Sequence, residues 1–118
     1  MRDSLIHVEK QQMLTHAEMR ALIVEATGLA VDAPKTVAAT GCGKRRRYAM
    51  TSTVPERVTC LACREHAQHE HTELAEMIEA ALRLPGTVSD ADRECYAGAA
   101  LQRRGLAKRF ATLNTIVN

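Results

Sequence analysis

Cys42, Cys60 and Cys63 constrain this chain more than any other feature, because the rest of the sequence offers little to hold a small core together. Their spacing is Cys42-x17-Cys60-x2-Cys63. A Cys-x2-Cys pair puts two sulfurs on one side of a tight turn, where both can reach one ion. A third cysteine in Gly41-Cys42-Gly43 can approach that pair closely, since the flanking glycines let the backbone fold tightly. The chain has 118 residues, with one Phe, two Tyr and no Trp. Its core must therefore be aliphatic, and aliphatic side chains bury less area each than aromatic ones. A chain of this size is marginal on core alone, and a structural metal is a common supplement. The pattern predicts a structural zinc ion (Zn2+) held tetrahedrally, with Zn–S distances near ~2.3 Å.

The fourth ligand is a choice among histidines. His66 follows Cys63 by one helical turn and shares its face, so it is the first candidate. His71 and His69 are the alternatives, and the distal His7 and His16 stay open. Cys95 stands apart on the apolar face of the last helix, where it reads as a buried free thiol.

Met1 to Lys10 is mixed and charged, unlike a signal peptide. No stretch approaches the ~20 apolar residues of a membrane span. The expected setting is a reducing cytoplasm, in which cysteines serve as ligands rather than disulfides.

The predicted organisation is one domain over 1–118, with a helical segment (1–33), a zinc-ribbon-like hairpin and knuckle (34–66) and a helical hairpin (67–118). Thr15 and Glu18 form a capping box for a helix from His16 to Thr27, which Gly28 ends. Met19, Leu22, Ile23 and Ala26 recur along it at helical spacing. Residues 1–13 are expected to add a short helix or strand. Thr36 to Thr40 and Arg46 to Thr53 read as the strands of a β-hairpin around the cysteine turn. A second helix is expected from Cys63 or Arg64 to Leu84, with Ala67, His71, Leu74, Ile78 and Ala81 as its apolar stripe. Pro85-Gly86 stops it. Ser89 caps a third helix from Asp90 to Leu113, whose apolar face is Cys95, Ala99, Leu106, Phe110 and Leu113. The fold class is α+β, a zinc-stapled hairpin and knuckle packed with about three helices, the last two antiparallel.

The stretch from Gly41 to Arg64 combines a Cys-Gly turn, a Thr-rich strand, a turn with Pro55 and Val58-Thr59-Cys60-x2-Cys63. In this it resembles the small zinc-ribbon-like proteins of actinobacteria and their phages. The resemblance covers about a fifth of the chain and implies that Cys42, Cys60 and Cys63 are metal ligands. Many such proteins carry a His in the strand before the Cys-Gly turn. This chain has none between Pro34 and Cys42, so the resemblance does not supply the fourth ligand.

Enzymatic readings fail on spacing. A zinc deaminase needs His-x-Glu ahead of Pro-Cys-x2-Cys, whereas here the histidines follow the cysteines. A zincin needs His-Glu-x2-His, and Glu73 stands where the second His should be. Three thiolates and a histidine would also close the metal, leaving no position for water. The sequence therefore predicts a binding module and no enzyme; a compact zinc-scaffolded nuclease is the least supported alternative.

The formal net charge of +2 is too small to imply nucleic acid by itself. The local cluster Lys44-Arg45-Arg46-Arg47 is suited to phosphate contact. A second cluster, Arg103-Arg104 with Lys108-Arg109, reads as a solvated helix face. Glu70, Glu73, Glu76 and Glu79 line the second helix opposite its apolar stripe. This divided surface supports the other reading, docking to a protein partner, which includes homodimerisation and a phage-encoded modulator of a host protein. Nucleic acid stands slightly ahead of protein as the expected partner.

Overall fold

The computed structural model describes residues 4–112. It is α+β, with three helices and a two-stranded antiparallel sheet. The helices are α1 (His16–Thr27), α2 (Leu61–Arg83) and α3 (Asp90–Ala111), and the strands are β1 (Thr36–Val37) and β2 (Arg46–Arg47).

Helix α1 starts as the capping box predicts, with the Thr15 side chain accepting from the Glu18 N–H and the Glu18 carboxylate receiving the Thr15 N–H. It ends at Gly28, in the left-handed region at φ 74°. The apolar face expected to bury this helix does not do so. No residue of α1 is buried, and Met19, Leu22 and Val24 are all exposed. The link from α1 to the hairpin is polar: Arg20 donates to the Tyr48 hydroxyl at 3.0 Å and lies over its ring.

The hairpin is shorter than its Val/Thr composition predicts. Thr36 pairs with Arg47 and Val37 with Arg46, and Tyr48–Met50 then turns into a single 3-10 turn. The strands stop because the N-terminal segment enters between their extensions. Glu9 bridges to Thr40 on one side and His7 bridges to Thr51 on the other. Ile6 O accepts from the N–H groups of Thr59 and Cys60, both at 3.0 Å. Residues 6–10 thus run extended through the middle of the cysteine-bearing half, with their backbone groups bonded on both flanks, as buried amides require.

Helices α2 and α3 pack closely as a helical hairpin. The core at its base contains Val8, Val58, Cys60, Cys63, Ala67 and Phe110, with Cys42 packed against it. Of the predicted α2 stripe, Ala67 and His71 are buried, while Leu74, Ile78 and Ala81 are half-buried. Burial stops at Ala75 on α2 and starts at Ala100 on α3, so the far half of the hairpin projects from the body. The radius of gyration of 16.1 Å reflects this projection; a compact chain of this length would have about 13.5 Å. Cys95 lies on the projecting part and is exposed, which corrects the expectation of a buried thiol. Leu113, also assigned to that face, lies outside the described residues.

Arg64 replaces aromatic bulk as the organiser of the core. It is 2% exposed, and its guanidinium stacks over Phe110. Nη1 donates to the carbonyls of Pro55 and Val58, and Nη2 to those of Arg109 and Thr112 at 2.8 and 2.9 Å. One side chain therefore joins the turn before α2 to the C-terminal end of α3. A cation is favoured there, because the last carbonyls of a helix carry negative partial charge.

Candidate metal centre

Three separate parts of the chain bring four donors together. Residues 6–10 supply His7, the turn after β1 supplies Cys42, and the start of α2 supplies Cys60 and Cys63. The imidazole and the three sulfurs lie within 4.8 Å of one another. Four ligands around one tetrahedral zinc would be about 3.5–3.8 Å apart, so small side-chain adjustments close the set. His7, Cys60 and Cys63 are buried and Cys42 is half-buried.

The local backbone explains the convergence. Gly43, at φ 84°, closes the turn in which its N–H donates to Thr40 O and the Thr40 N–H donates to Lys44 O. Cys42 projects from the tip of that turn. Cys60 is the N-cap residue of α2 and Cys63 sits in the first helical turn, so both sulfurs lie at the positive end of the helix dipole. His7 points inward because the bonds His7 N to Met50 O (2.8 Å) and Ser52 N to His7 O (2.9 Å) lock its backbone. Its Nδ1 lies 3.4 Å from Cys63 Sγ and 3.5 Å from Cys42 Sγ, which makes Nδ1 the nitrogen that faces the centre.

Gly41 is the tightest point of the assembly. A Cβ there would stand 2.9 Å from a Val8 methyl, 3.1 Å from the Cys63 Cα and 3.2 Å from the His66 Cβ. Backbone and side chain of three segments would have to move apart. Gly41→Ala is expected to lower stability by about 2–3 kcal/mol and to weaken metal retention. Gly105→Ala, on an open helix face, is expected to do neither. Urea denaturation of the two variants, each with its metal content measured, checks this.

The thiols are electrostatically unequal. Burial works against ionisation of Cys42, but hydrogen bonding with Thr40, the Lys44 backbone, Cys63 and His7 outweighs it and brings the thiol down to about 6. Burial pushes the Cys63 thiol up to about 12, and Cys60 beside it adds to the rise. Ionising Cys63 therefore needs a cation next to it, and a divalent ion among the donors would supply one. The chemistry of the donor set fits a soft or borderline metal in a closed, structural site.

His66, the first candidate for the fourth ligand, is not in the cluster. It does lie one turn beyond Cys63, but its Nε2 is 2.7 Å from Lys10 O, to which it donates, and the Gly41 turn packs against its Cβ. His69 is exposed and pairs with Glu73 at 2.9 Å. His71 is buried on the other side of the core, stacked on Phe110 and accepting from Arg103 at Nδ1. Burial, reinforced by the Arg103 charge, lowers its pKa to about 4, so it stays a neutral core residue. His16 lies beside Glu9 at the start of α1. His7 escaped the spacing argument because it is 35 residues from its nearest partner, Cys42. The one local signal was a histidine inside the short apolar run Leu5-Ile6-His7-Val8.

The basic residues also divide. Arg104 is bonded to Glu79 at 2.6 Å, Arg109 to Glu56, and Arg103 to the Gln12 carbonyl and His71. The helix cluster is thus largely spent inside the molecule. Lys44, Arg45 and Arg47 are exposed, while Arg46 is half-buried by its pairing with Val37. No helix among the described residues is long and apolar enough to cross a membrane.

Comparison with family models, with curated proteins and with solved structures finds no match for this chain.

Proposed function

We propose that this protein is a zinc-stapled module that binds nucleic acid through its cysteine hairpin and carries out no chemistry of its own. The observation that carries the reading is the convergence of buried His7, Cys60 and Cys63 with half-buried Cys42. Three thiols and an imidazole suit zinc, and four protein ligands leave no coordination site for a substrate. The metal's role is then to hold three chain segments whose shared core contains a single aromatic ring.

The nucleic-acid part rests on where free positive charge lies. Lys44, Arg45 and Arg47 surround the metal turn, and Lys35, Arg47 and Tyr48 line one open groove of about 440 Å³. Arg20 already covers the Tyr48 ring, so the groove is suited to phosphate contact rather than to base stacking. Fluorescence anisotropy with a labelled mixed-sequence duplex, across a salt series, tests the idea. Binding should weaken steeply with salt, and the Lys44→Ala/Arg45→Ala/Arg47→Ala variant should bind about tenfold or more weakly with a shallower slope. An absence of binding at low salt would eliminate nucleic acid. The second reading, a protein partner, is favoured by one observation: Met19, Leu22, Val24, Leu29 and Val31 leave the α1 region with an uncovered apolar surface.

A further inference from the structure

The outer face of α3 carries a pattern that nothing among the described residues explains. Leu101 is 73% exposed, more than any other large apolar side chain among the described residues. Gly98 and Gly105 flank it on the same face, and a Cβ at either position would meet nothing within 4 Å. Neither glycine forms a turn or allows a close approach among the described residues, yet each costs a helix about 1 kcal/mol relative to alanine. At 3.6 residues per turn, Glu94, Gly98, Leu101, Gly105 and Lys108 fall within about 80° of arc. The buried Ala100 and Ala107 lie on the opposite side, which packs on the body.

The charges on this stripe are placed symmetrically. Glu94 lies seven residues before Leu101 and Lys108 seven residues after it. Both are exposed, and neither takes part in an ion pair among the described residues. An antiparallel helix pair with a two-fold axis at Leu101 would bring residue 101−n opposite residue 101+n. Glu94 of each copy would then face Lys108 of the other, giving two equivalent ion pairs at the ends of one contact. The glycines would let the helix axes approach closely while each Leu101 packs against the facing backbone. Such a self-complementary patch is what a two-fold dimer requires.

We propose that two copies of this chain associate through the outer face of α3, antiparallel and centred on Leu101. This inference does not depend on the metal or on nucleic-acid binding. The pairing leaves the α2-facing side of each hairpin as it is, and it covers the most exposed leucine among the described residues.

Sedimentation equilibrium of the full chain, from micromolar to near-millimolar concentration, tests it. The apparent mass should rise from the 13.0 kDa of one chain towards twice that value. Leu101→Glu should remain at the single-chain mass with unchanged circular dichroism. Glu94→Lys and Lys108→Glu should each weaken association by about tenfold or more, because like charges would then face each other. An equimolar mixture of these two variants should associate again, since every facing pair becomes opposite in sign. Gly98→Ala with Gly105→Ala should raise the melting temperature of the single chain and yet weaken association. A single-chain mass at every concentration would overturn the proposal. So would association that Leu101→Glu leaves intact, or a charge-reversed mixture that fails to associate.

Discussion

Cys63→Ser is expected to leave the chain without metal and unfolded, with loss of far-ultraviolet helical signal rather than a shifted melting point. Cys63 is fully buried at the contact of all three converging segments, next to His7 and at the start of α2. A structural zinc supplies about 10 kcal/mol or more of folding free energy, against about 5–15 kcal/mol for the whole stability of a domain. The apolar core, which holds Val8, Val58, Ala67 and Phe110 besides Cys60 and Cys63, cannot make up that difference. A strong chelator should have the same effect on the wild type, and added zinc should reverse it. Cys95→Ser, on the exposed projecting hairpin, should retain both metal and fold. A folded, metal-free Cys63→Ser protein would show that the apolar contacts suffice.

Arg64→Met should be the most damaging substitution outside the four donor residues His7, Cys42, Cys60 and Cys63, costing about 3–5 kcal/mol. Methionine approximates the volume but donates nothing. The carbonyls of Pro55 and Val58 would lose their donor inside the core, and those of Arg109 and Thr112 would lose the cation that closes α3. A buried carbonyl left without a donor costs about 1–3 kcal/mol, less where water can replace the lost bond. Arg64→Lys should recover only part of the loss, because an ammonium cannot span two pairs of acceptors as a guanidinium fork does. Urea midpoints for the two variants give the comparison. An Arg64→Met protein within about 1 kcal/mol of wild type would mean that this network contributes little.

Structure is legible in the sequence where the physics is local. The capping box at Thr15 and Glu18, the Gly28 stop, the Ser89 cap and the break at Pro85-Gly86 fix three helices from neighbouring residues alone. The helical spacing of Met19, Leu22 and Ile23 gave the right element but the wrong surroundings, since periodicity names a face without naming what covers it. The same holds for Cys95, whose helix face is exposed where the hairpin projects. The buried arginine was invisible because its four acceptors are backbone carbonyls, which no sequence pattern encodes. The cysteines were legible from Cys-x2-Cys and the glycine turn. His66 was the natural choice from helical spacing, yet the selection of His7 depends on the N-terminal segment passing between the hairpin extensions. That path is set by long-range backbone bonds from Ile6, His7 and Val8.

One zinc ion is proposed to be held by His7, Cys42, Cys60 and Cys63. Elemental analysis of purified wild-type, His7→Ala and His66→Ala proteins, after dialysis against a weak chelator, tests it most directly. Close to one zinc per chain is expected in the wild type and in His66→Ala, with substantial loss in His7→Ala. A wild type that carries no metal, or a His7→Ala protein that holds zinc as tightly as the wild type, would contradict it.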